Sequence, residues 1–139
     1  MLVTWGEVER RAAQAMNASV RDSTQFARQT FQGKYASSAP LGVSHHQLLS
    51  PASYRITTSF TGMSATGIVS PIASPQPSYF GMATIPESLA YMFEVGGRFN
   101  LRTRQKDPAV PVRASVQEQT NKHFRDSLAT NFIKQGFSV

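Results

Sequence analysis

Apolar positions recur with different periods along the 139-residue chain, and each period predicts a different element. Near the N-terminus, Thr4-Trp5-Gly6-Glu7 has the Ser/Thr-x-x-Glu form of a capping box, in which hydroxyl and carboxylate satisfy free amides of a first helical turn. Val8, Ala12, Ala15, Ser19, Phe26 and Phe31 then approximate one helical stripe, with no proline to interrupt it. The pattern predicts a helix to about Gly33, roughly 40 Å long at 1.5 Å per residue. Its second half, with Ser23, Thr24, Gln29 and Thr30, is weaker helix material.

From Ala36 to Pro51 the residues are mostly small, polar or turn-forming, which predicts a long mobile loop over about 36–51. Tyr54 to Phe60 alternates and is rich in β-branched and aromatic residues; a turn near Thr61-Gly62 and a second short run, Gly67-Ile68-Val69, complete a hairpin. A Pro/Ser cluster, Ser70-Pro71 and Ser74-Pro75-Gln76-Pro77, separates the hairpin from Tyr79-Phe80-Gly81-Met82.

Leu89 to Val95 is the most apolar stretch and has the length of a central strand, with a helical turn after Pro86-Glu87 as the other reading. Gly96-Gly97 ends it. Phe99 to Arg104 alternates apolar or neutral with basic residues, as an exposed strand or arm does, and Pro108 and Pro111 hold the following chain extended. Ser115-Val116-Gln117-Glu118 repeats the capping-box form, and Val116, Thr120, Phe124, Leu128 and Phe132 follow at four-residue spacing towards Gly136. The order predicts an α+β fold: a long N-terminal helix, a small antiparallel sheet and a C-terminal helix packed on one face. The whole of 1–139 is expected to form one domain.

Composition narrows the chemistry. The chain has no cysteine, which removes disulfides, thiol nucleophiles and thiolate metal sites. No apolar run approaches a membrane span, and Met1 to Trp5 lacks the charged and apolar regions of a secretory signal, so no membrane partner is expected. Net charge is +6, with eight acidic residues against fourteen Lys and Arg. That balance suits either a polyanion or an acidic protein neighbour. The basic group Arg98, Arg102, Arg104, Lys106 and Arg113 is the strongest charge feature, an arm over about 98–107 with the Arg113 step beyond it.

No local motif of a hydrolase elbow, P-loop, zinc protease or dinucleotide site occurs. His45 and His46 are adjacent in a loop and project oppositely, a poor start for a metal site. The expectation is a chain without catalytic residues, metal or cofactor. A small basic nucleic-acid-binding module is one alternative. A nuclease assembling His123, Glu94 and arginines is another.

The order of elements resembles the small tail-component proteins of tailed phages, variously called tail-completion, tail-terminator, head-tail joining or virion-morphogenesis proteins. Ala90, Glu94 and Gly96 match a central Tyr-Ala-x-x-x-Glu-aromatic-Gly segment, and Pro111-Val112-Arg113-Ala114 looks like a Pro-rich step before the last helix. Leu89 and Val95 depart from the tyrosine and the aromatic, and the Arg-Pro-Phe core of the step is reduced. The resemblance implies a structural virion subunit at the neck or head-proximal tail end, assembled in the host cytoplasm. Its copies would form a closed cyclic ring, a hexamer, through whose lumen DNA passes. Partners would be further copies and the neighbouring connector and tail-tube proteins, with transient DNA contact. Glu94, Arg98, Arg102, Arg104, Lys106 and Arg113 would lie at inter-subunit or lumen surfaces.

Overall fold

The computed structural model describes residues 4–37, 48–62, 64–77, 83–97, 99–100, 104–106, 108–109 and 111–138. His45, His46, Arg98 and Arg102 lie outside the described residues.

The first helix, α1, spans Trp5–Ser37, about 50 Å at 1.5 Å per residue. Thr4 caps it: its Oγ1 accepts the Glu7 amide at 3.2 Å. The Glu7 carboxylate reaches forward to Arg10 and Arg11, so the hydroxyl contact of the expected box is accompanied by ion pairs along the helix. The buried face carries Ala12, Ala15, Ser19, Val20, Ser23, Thr24 and Ala27, with Tyr35 near its end. Small side chains let neighbouring backbones come close. Several interior hydroxyls are occupied within the helix, Ser19 Oγ donating to Ala15 O at 2.7 Å and Thr24 Oγ1 to Arg21 O at 2.8 Å.

A 3-10 turn, Pro51–Ser53, leads into β1 (Tyr54–Thr61), which pairs antiparallel with β2 (Ser64–Pro71) from Tyr54↔Pro71 to Thr61↔Ser64. Gly62 supplies the positive φ of 55° at the turn. Burial alternates along β1, with Tyr54, Ile56, Thr58 and Phe60 inward. The hairpin lies against α1: a Cβ on Gly67 would stand 2.3 Å from Thr24 Cγ2, so only glycine permits this approach. Two short antiparallel ladders follow, β3 (Gln76–Pro77) with β4 (Ala83–Thr84) and β5 (Phe99–Asn100) with β6 (Gln105–Lys106).

Between these ladders the structure corrects the strand reading of Leu89 to Val95. Pro86–Val95 is a helix, α2, with Pro86 in its first turn, where the missing N–H has no helical acceptor to lose and φ is already set. Leu89 and Phe93, one turn apart, are buried, whereas Tyr91 and Val95 are exposed. A strand would have put all four on one face.

The last helix, α3, spans Arg113–Lys134, two residues ahead of the expected Ser115 start. Val112 stands at its N-cap without a side-chain cap, and Ser115 Oγ accepts from Gln119 Nε2 within the helix. Its end obeys the expected glycine stop. Gly136 (φ 91°) donates to Ile133 O, Phe137 donates to Phe132 O, and the Phe137 ring meets Phe132 edge-on.

The architecture is α+β. α3 packs principally against α1, and α1 covers the hairpin. The core gathers Ala27, Tyr35, Leu48, Leu89, Phe93, Val112 and Val116, where α1, α2 and the start of α3 converge. Leu48 is fully buried and Ala36–Ser37 are helical, so both ends of the segment 36–51 expected to be mobile are ordered, and 38–47 lie outside the described residues. No described helix is long and apolar enough to cross a membrane.

Candidate functional site

The structure joins two segments that are distant in sequence, the end of α2 and the step into α3. Glu94 Oε2 accepts the Val112 amide at 3.0 Å, which ties the N-cap residue of α3 to α2. Gly96 then turns with φ 67° and ψ −164°, backbone that only glycine adopts readily. A Cβ there would lie 2.5 Å from Ala109 N and 2.9 Å from the Pro108 carbonyl carbon. Glu94 therefore holds the junction by its carboxylate, and Gly96 by having no side chain.

Beside this junction opens a cleft of about 660 Å³ lined by Tyr35, Val69, Glu87, Tyr91, Glu94 and Arg113, among others. Burial pushes the Tyr35 hydroxyl up to about 12; the Glu94 charge adds to the rise and Arg113 opposes it. Along the cleft α2 exposes Tyr91 and Met92, with Val95 and Ile85 also uncovered. Such a surface suits contact with another polypeptide. Replacing Glu94 with Ala leaves a buried amide without its acceptor. The expected cost is about 1–3 kcal/mol, and Glu94→Gln, which keeps an acceptor oxygen, should recover part of it in urea unfolding.

Of the six residues expected at inter-subunit or lumen surfaces, Glu94 and Arg113 come together at this cleft. Arg104 and Lys106 are exposed at the β5–β6 ladder, Arg104 with a φ of 56°. Arg98 and Arg102 fall outside the described residues.

His123, which the nuclease alternative pairs with Glu94, lies instead against Asp22, while Glu94 accepts from the Val112 amide. His123 joins a network between α1 and α3 that sequence reading missed. Its Nε2 is 3.0 Å from Asp22 Oδ2, and its ring stacks on Phe26 with centroids 4.1 Å apart. Ser127 Oγ donates to the same Asp22 oxygen at 2.9 Å, and Asn131 Nδ2 donates to Ser19 Oγ at 3.0 Å. The available signal was spacing: Ser19-Asp22 on α1 and His123-Ser127-Asn131 on α3 each form a polar row three or four residues apart. Serine and histidine both bond the carboxylate rather than each other, so the histidine cannot draw a proton from Ser127 as in a catalytic triad. Among the described residues no group of three or more His, Asp or Glu could hold a metal ion.

Burial raises the Asp22 carboxyl, but hydrogen bonds from His123 and Ser127, with the charges of His123 and Lys134, outweigh it and hold the group below its ordinary value of 3.8. A carboxylate lowered in the fold contributes stability above its unfolded value, and that contribution disappears as pH falls through the folded value. The acid limb of the melting-temperature profile is therefore expected to be shallower for Asp22→Asn than for the wild type. Equal limbs would remove Asp22 from that dependence.

Comparison of the chain with protein-family models, with curated proteins and with solved structures finds no match.

Proposed function

We propose that the chain is a structural subunit of a tailed-phage particle, forming a ring at the neck or head-proximal tail end through which DNA passes. The observation that carries this reading is the junction at Glu94. The segments that bear the resemblance, Leu89 to Gly97 and Pro111 to Ala114, form one structural unit through the Glu94–Val112 hydrogen bond and the close approach of Gly96 to Pro108–Ala109. Glu94 and Gly96 are two of the matching positions, and each has a structural duty here.

The exposed apolar side chains of α2 support the same reading, since neighbouring subunits would cover them in an assembly. On this reading the protein is not an enzyme and works without a cofactor. It resides in the virion after assembly in the host cytoplasm, beside connector and tail-tube proteins and further copies of itself. The exposed Arg104 and Lys106 face either passing DNA or an acidic neighbour.

Mass measurement combined with negative-stain imaging of the protein and of assembled particles tests the proposal. Rings in solution, or density from this subunit at the tail end, are the expected results. Stable monomers that bind DNA tightly at low salt, together with particles lacking the subunit, would overturn it. The pair Arg102→Glu and Arg104→Glu separates the roles of the arm. Loss of particle assembly marks an interface, and loss of nucleic-acid affinity with normal assembly marks a DNA contact.

A further inference from the structure

β2 is an edge strand: it pairs with β1 and with no other described strand. The Ile72 amide donates to Ser53 O at 2.9 Å, in the same register as Tyr54↔Pro71, which makes 53 and 72 a hydrogen-bonded pair. Such pairs alternate along an antiparallel ladder, so 55–70, 57–68 and 59–66 are hydrogen-bonded too. The amides and carbonyls of Ala65, Gly67 and Val69 therefore point away from β1.

Those three residues, with Thr66, line a groove of about 400 Å³ bounded by α1, β2 and α3. Successive strand residues face opposite sides, so a groove touching 65, 66 and 67 in turn runs along the edge of the strand. Two further observations point to an occupant. Ser23, 5% exposed, and Thr120 both line this groove, and their hydroxyl oxygens are shut from solvent with no hydrogen-bond partner. Buried hydroxyls are seldom left unpaired. Arg113 is the single charged residue among the described residues that line the groove, whose wall mixes the apolar Val20, Val116 and Phe124 with the polar Thr24, Gln117 and Asn121.

We propose that this groove takes an extended segment of an acidic partner protein as a third strand of the β1–β2 sheet. Strand addition supplies acceptors and donors to Ala65, Gly67 and Val69, and a turn about χ1 brings the Ser23 and Thr120 hydroxyls out to its backbone. Alternate apolar side chains of the segment meet Val20, Val116 and Phe124, polar ones meet Thr24, Gln117 and Asn121, and a carboxylate pairs with Arg113. The net charge of +6 favours an acidic partner over a second copy. The inference does not depend on the neck-subunit reading.

The test uses the full chain and a synthetic peptide of about ten alternating valines and threonines, long enough to span one strand, with an aspartate at one end. Amide hydrogen exchange followed by NMR reads the edge directly. In the free protein the amides of Thr66, Ile68 and Ser70 should be protected and those of Ala65, Gly67 and Val69 should exchange fast. Peptide should protect the second set on saturation. Ala65→Pro, which removes an outward amide, should weaken binding about tenfold. Should that variant fail to fold, Arg113→Glu decides, since it leaves the ladder intact and should reverse the preference for the aspartate peptide over a lysine counterpart. Absence of saturable binding, protection elsewhere, or equal affinity of the wild type for both peptides would overturn the proposal. Protection of Ala65, Gly67 and Val69 by self-association without peptide would also overturn it, assigning the groove to a second copy.

Discussion

Gly96→Val is expected to destabilise the protein by about 3 kcal/mol or more and to undo the junction between α2 and α3. Two penalties act together. The backbone stands at φ 67° and ψ −164°, a region closed to side chains with a Cβ, and the new atoms would drive into the Ala109 and Pro108 backbone. Nothing flexible lies there to move aside. Gly97→Ala supplies the control, because Gly97 also has a positive φ, of 85°, but faces open space. It should cost only the conformational penalty, about 1–2 kcal/mol. Urea midpoints at constant m-value measure both. Equal losses for the two variants would mean that the contact with Pro108–Ala109 has no energetic weight.

Phe93→Ala should cost about 3–5 kcal/mol, because Phe93 is 4% exposed and its ring lies against Tyr35 with centroids 6.1 Å apart in the centre of the core. Tyr91→Ala, two residues away, should change stability by no more than about 0.5 kcal/mol, since Tyr91 is 68% exposed. The contrast also decides the conformation of the segment. A helix buries Leu89 with Phe93 and spares Tyr91, whereas a strand would make Tyr91 as costly as Phe93.

That segment shows where the sequence was legible and where it was not. The long helices were readable because each carries a stripe of helical period; Gly136 gives the end of α3, whereas α1 runs through the expected stop at Gly33 to Ser37. The hairpin was readable because β-branched alternation flanks a glycine turn. Leu89 to Val95 was misread because a short apolar run fits a buried strand and a buried helix equally, and the deciding cue was Pro86 at the helix start. The Ser115 box misled for a related reason: the motif has the right residues, but Val112 is anchored by Glu94 and the helix begins sooner.

The candidate site was legible in part. Glu94 and Arg113 were both singled out, yet nothing in the pattern shows that the Glu94 carboxylate accepts from a backbone amide eighteen residues on. Ser23 and Thr24 looked like poor helix material. Their small size is what brings α1 against the hairpin and α3, a reason visible only after packing. Asp22 and His123, 101 residues apart, gave no local sign of meeting.

That separation has a consequence for synthesis. α1 buries its small-residue face against α3, so α1 waits for a helix made much later before this interface closes. Contacts spanning over a hundred residues slow folding, because the loop must close before the contacts reward it. While the ribosome is still making the middle of the chain, α1 presents Ala12, Ala15, Val20 and Ala27 uncovered. That face of α1 is therefore expected to close late in folding, after α3 has joined it.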